Sequence, residues 1–82
     1  MFINKSKEGK NNLCGPKITV LRKGRKWSQR MLADRLQLAG LDLDKNAIQR
    51  MEAGLRFVTD IELLALSRVL EVPITALLPE EE

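Results

Sequence analysis

Residues 45–54 read KNAIQRMEAG, and Asn46, Gln49 and Arg50 fall on one side of this stretch if it is helical, with Lys45 beside them. These residue types suit contact with base edges in a duplex groove. Lysine can donate to O6 and N7 of guanine, Asn and Gln can pair bidentately with N6 and N7 of adenine, and Ala47 can touch a thymine methyl. A solvated helix face has the same composition, so the residues alone leave both readings open.

Other chemistries find less to work with. The chain has no His, no Tyr and a single Cys, which rules out an intrachain disulfide and a His- or Cys-based zinc site. Cys14 reads as a free thiol in a flexible segment. No carboxylate or lysine sits in a Gly-rich loop or an evident acid/base pair, and phosphate-loop and dinucleotide fingerprints are absent. The expectation is a protein that is not an enzyme and uses neither cofactor nor metal.

Net charge is +3, but it is unevenly spread. Residues 1–30 hold nine Lys or Arg against Glu8, a net +8, whereas residues 31–82 hold five against ten acids, a net −5. That split suits one face for a polyanion and another that avoids it. No apolar run approaches the length of a membrane span, and the polar start lacks the apolar stretch of a signal peptide. The expected location is the cytoplasm.

Such a reading face needs a scaffold. With 82 residues, 44% of them apolar and only three aromatic, the chain suits one all-α domain with an aliphatic core. Residues 1–14 read as a flexible basic arm, 15–79 as the domain and 80–82 as an acidic tail. Helix 1 is expected from Pro16 to residue 24 or 25, with Ile18, Val20 and Leu21 giving apolar contacts. Helix 2 follows the N-cap Ser28, carries Leu32, Ala33 and Leu36 inward, and stops at Gly40. Asp44 caps helix 3, in which Ile48 and Met51 face inward before Gly54. Thr59 and Glu62 form a capping box for helix 4. There Leu63, Leu66, Ser67 and Leu70 make the inward stripe, which Ile61 and Leu64 widen. Val72, Ile74, Leu77 and Leu78, around Pro73, predict a last short helix.

The sequence from LRKGRKWSQRMLADRL to AIQRMEAGLRFVTDIELLALSRVLEVPITALL resembles the Cro/phage-repressor type of helix-turn-helix domain, the Xre-like family of bacterial and phage regulators. The resemblance spans residues 17 to 78. It implies a compact four- to five-helix, lambda-repressor-like fold and an orientation for helix 3, so that Lys45, Asn46, Ala47, Gln49 and Arg50 become the base-contacting set. It also implies phosphate contacts from Ser28, Gln29 and Arg30 at the start of helix 2 and from Arg56. Arg22 and Glu52 match a buried salt bridge of similar domains, and Trp27 replaces a small aliphatic residue.

Two departures stand out. Residues 38–42, LAGLD, look inserted between helices 2 and 3, predicting an extra turn on helix 2 and a longer loop. Lys26 stands where the family tends to have Gly. The implied function is sequence-specific binding of double-stranded DNA by a transcriptional regulator, a repressor, acting as a homodimer on an inverted-repeat operator. Val72, Ile74, Leu77 and Leu78 are candidates for the dimer surface, or else cover the domain's own core. The alternative is a protein-interaction module of the same fold, antitoxin-like or regulator-binding, with weak DNA binding.

Overall fold

A computed structural model describes residues 5–79. The first residues of the basic arm and the acidic tail at 80–82 lie outside that range. Four α-helices follow in order, α1 Gly15–Gly24, α2 Gln29–Leu38, α3 Lys45–Glu52 and α4 Asp60–Leu70, and a 3-10 turn, Ile74–Leu77, closes the chain. No strand occurs among the described residues.

Three of the four helices start on a side-chain cap. Ser28 Oγ accepts from Met31 N at 3.1 Å, Asp44 Oδ1 from Ala47 N at 2.8 Å, and Thr59 Oγ1 from Glu62 N at 3.1 Å, with Glu62 Oε1 accepting from Thr59 N in return. Each satisfies an amide that the helix leaves unpaired. The helices also share one ending, a left-handed residue followed by a six-to-one backbone bond: Trp27 N to Arg22 O, Leu41 N to Leu36 O, Leu55 N to Arg50 O and Val72 N to Ser67 O. The left-handed residues are Lys26, Gly40, Gly54 and Glu71, so only two of the four stops use glycine.

Ile18, Leu32, Leu36, Ile48, Met51, Leu66, Leu70 and Leu77 are fully buried, with Cys14, Ala33 and Leu43 beside them. Burying such aliphatic side chains stabilises by about 1.5–3 kcal/mol each. The inward stripes are narrower than the sequence suggests. Val20 and Ile61 are exposed and Leu64 lies at the surface, while Arg22 and Glu62 are buried.

The segment before α1 is built into the domain. Asn11 N donates to Gly54 O and Asn11 Nδ2 to Leu55 O, while Asn12 Nδ2 donates to Met51 O at 3.0 Å and Arg56 O at 2.7 Å. Asn12 Oδ1 accepts from Gly15 N. Cys14, read from sequence as part of a flexible segment, is a core residue, and burial pushes its thiol pKa up. The stem of Lys10 covers Gly54, and Lys5 Nζ donates to Asn11 Oδ1.

Between α2 and α3, only Leu38 of the apparent insertion is helical. The chain leaves α2 through Gly40, and Gln37 Nε2 braces the loop by donating to Leu43 O at 2.9 Å. The added residues therefore lengthen the connection more than the helix. α2 and α3 pair more extensively than any other two elements, across the buried Ala33 of α2.

Candidate nucleic-acid interface

α3 is divided lengthwise. Ile48 and Met51 are sunk in the core, while Lys45, Asn46, Gln49 and Arg50 are exposed. Ala47 is half-buried and packs on the core, because it flanks the inward stripe one residue before Ile48. The expected methyl-contacting residue is thus mostly turned to packing. A groove of about 330 Å³ is lined by Asn46, Gln49, Arg50, Ala53 and Leu55. A second, about 280 Å³, lies between α2 and α3 and is lined by Arg30, Ala33, Asp34, Gln37, Asp44 and Lys45. Leu55 is an exposed apolar neighbour of the polar face that sequence reasoning passed over, although it directly follows the Gly54 stop.

The α2 N-terminus stands next to this face through a shared ion pair. Arg22 Nε and Nη2 donate to the two carboxylate oxygens of Glu52 at 2.6 and 3.0 Å, and Arg22 Nη1 donates to Trp27 O. Both side chains are more than nine-tenths buried. Gln29 Nε2 donates to Glu52 Oε1 at 3.1 Å, so the end of α3, the last turn of α1 and the start of α2 converge on one carboxylate. Burial pushes the Glu52 carboxyl pKa up, but hydrogen bonds from Arg22, Gln29 and Thr19 and the Arg22 charge outweigh it, and the net shift is downward. Arg30 is exposed, whereas the Ser28 hydroxyl is engaged as the cap of α2.

Arg56 is tied into the loop before α4. Its Nη1 and Nη2 donate to the two oxygens of Glu62 at 2.9 Å each, and Nη1 also donates to Phe57 O. Arg56 holds the Glu62 carboxyl below its ordinary range, against burial and with help from Thr59. The guanidinium, 32% exposed, thus braces the capping box of α4, an acceptor that sequence alone did not connect to it.

The sequence pattern of the HTH_3 helix-turn-helix family matches residues 20–77. The chain belongs to this family, the Xre/lambda-repressor-like helix-turn-helix domains. Its helix-turn-helix pair is α2 and α3, and the family is one of DNA-binding regulators. Among solved structures it is similar to the restriction-modification controller protein C.AhdI from Aeromonas hydrophila, with 30% identity, a TM-score of 0.65, and 77% of this chain and 88% of that one covered. It also shares its fold with the DNA-binding domain of BldD, at 24% identity and a TM-score of 0.69, over 82% of this chain and 90% of that one. No curated protein matches it.

Around the helix-turn-helix pair the remaining expectations fall unequally. Trp27 is half-buried on the core at the α1–α2 turn, with the guanidinium of Arg35 4.2 Å and that of Arg25 5.3 Å from its ring centroid, a cation–π brace. Arg25 Nη2 also donates to Leu70 O at the end of α4. Of the dimer candidates, Leu77 is fully buried and Val72 packs on the core, so these two cover the domain's own interior. Ile74 and Leu78 remain partly open. Among the described residues no group of acids or cysteine is arranged to hold a metal ion, and no helix is long and apolar enough to cross a membrane.

Proposed function

We propose that this helix-turn-helix domain binds double-stranded DNA with sequence preference, laying the exposed side of α3 in the major groove, and acts as a transcriptional repressor. The observation that supports it is the division of α3, whose four long polar side chains stand free on one side while the other side is locked into the core. Lys45, Asn46, Gln49 and Arg50 meet base edges, and Leu55 lies beside them as an apolar neighbour. The first turn of α2, with Gln29 and Arg30, meets phosphate, where free amides and the helix dipole favour an anion. Arg56 and Glu62 act by fixing the α3–α4 loop. The likeness to a controller protein supports a regulatory role. One domain spans few base pairs, so two copies bind an inverted repeat.

The test is fluorescence anisotropy with a labelled duplex across a salt series. Affinity should fall steeply with salt, because Lys and Arg displace counterions from phosphates. Gln49→Glu and Arg30→Glu should each weaken binding at least about tenfold, through repulsion of groove and backbone, without changing the circular dichroism spectrum. Affinity that ignores salt and tolerates both substitutions would point to the protein-interaction alternative.

A further inference from the structure

Leu55 is an exposed apolar residue on a fixed backbone. Its side chain is 66% exposed, yet its N–H donates to Arg50 O at 2.9 Å and its carbonyl accepts from Asn11 Nδ2 at 3.1 Å. The carbonyls on either side are held as well, Gly54 O by Asn11 N at 2.8 Å and Arg56 O by Asn12 Nδ2 at 2.7 Å. A side chain on so fixed a stretch has its Cα–Cβ direction set before anything binds, which lowers the ordering cost of a contact. Val20, Leu38, Phe57 and Ile61 are exposed too. Leu55 differs from them in its neighbours, because it closes the groove of about 330 Å³ whose other walls are Asn46, Gln49, Arg50 and Ala53.

We infer that Leu55 is a specificity residue that recognises the C5-methyl group of a thymine, beside the base pairs met by Asn46 and Arg50. In the major groove that methyl marks thymine, and it is recognised by apolar contact. Lys45, Asn46, Gln49 and Arg50 end in hydrogen-bonding groups, so the polar side of α3 offers the methyl no matching surface. Ala47, whose own methyl could have served, is half-buried and packs on the core. Leu55 supplies the missing surface from the far end of the same groove. Burying one methyl group strengthens binding roughly three- to fivefold, enough to shape preference at one position without dominating affinity.

The inference rests on the reading of α3 as the groove-facing helix, and the experiment separates the two. The full chain is first used to enrich a duplex from a randomised pool at about 150 mM salt. That duplex is then resynthesised with each thymine in turn replaced by deoxyuridine, which removes only the methyl, and binding is followed by fluorescence anisotropy. At one thymine per half-site the wild type should lose affinity roughly three- to fivefold. Leu55→Ala should bind the thymine and uracil duplexes alike, with an unchanged thermal melt. Leu55→Met, which keeps an apolar side chain of similar volume, should keep the difference. A wild type indifferent to every thymine methyl overturns the inference and leaves the DNA-binding reading standing, as does a methyl preference that Leu55→Ala retains. A folded protein that enriches no duplex overturns the reading itself, and the inference falls with it.

Discussion

Lys26 carries a backbone cost that Glu71 shares, at φ 61° where the three backbone bonds of the α1 ending require a left-handed residue. A side chain in that region costs about 1–2 kcal/mol, a cost Gly does not bear. Lys26→Gly should therefore stabilise the domain by about 1 kcal/mol, seen as a rise of roughly 4–8 °C in thermal midpoint for a chain of this size; an unchanged or lower midpoint would refute the strain. Arg22 and Glu52 set a larger cost in the other direction. Arg22→Met strands the Glu52 carboxylate and should destabilise by about 3–5 kcal/mol in a denaturant titration. Both Glu52 and Glu62 have pKa values held below 4.5 in the fold. The folded state thus binds fewer protons than the unfolded one in that range, so stability is held above pH 4.5 and lost as pH falls through the lowered values. Glu52→Gln should shallow this acid decline, measured as midpoint against pH; a slope equal to wild type would show that the carboxylate does not contribute.

At the scale of elements, what fixes α3 is its far end as much as its cap. Asn12 bonds the carbonyls of Met51 and Arg56, and a Cβ on Gly15 would lie 2.6 Å from Met51 O, so the start of α1 is pressed against the last turn of α3. Asn12→Ala should cost about 1–3 kcal/mol by leaving carbonyls unpaired, and Gly15→Ala about as much by overpacking. Gly24→Ala, with nothing within 4 Å of the added carbon and no left-handed backbone, should instead gain about 0.4–1 kcal/mol. Chemical denaturation of the three variants checks the contrast, and equal effects would refute the clamp. The starts of the helices were legible because Ser28, Asp44 and the Thr59–Glu62 pair announce themselves through local bonds. Gly40 and Gly54 marked two stops for the same reason. The stops at Lys26 and Glu71 were hidden, since the backbone there is imposed by what the flanking elements must reach. The roles of Asn11 and Asn12 were hidden too, because each depends on residues about forty positions away.

Across the whole molecule, the order of helices, the exposed side of α3 and the Arg22–Glu52 pair could be taken from the sequence, while the partners of other charged groups could not. No local signal ties Arg56 to Glu62, six residues on and around a loop. Leu77 looked available to a partner because its stretch is apolar, yet a chain of this size needs that residue to close its core. Leu38, read as the start of the inserted segment, and Ile61, read as widening the inward stripe of helix 4, are both exposed. These assignments leave a molecule with a rigid base, a polar side on α3 and a free basic residue, Arg30, beside it. The measurement that tests this account most directly is selection of the purified protein against a randomised duplex pool at about 150 mM salt, where nonspecific phosphate binding is already weakened. Enrichment of an inverted repeat with half-sites about 10 base pairs apart, relaxed at one position in each half by Gln49→Ala, is the predicted result. A folded protein that enriches no sequence would contradict the account.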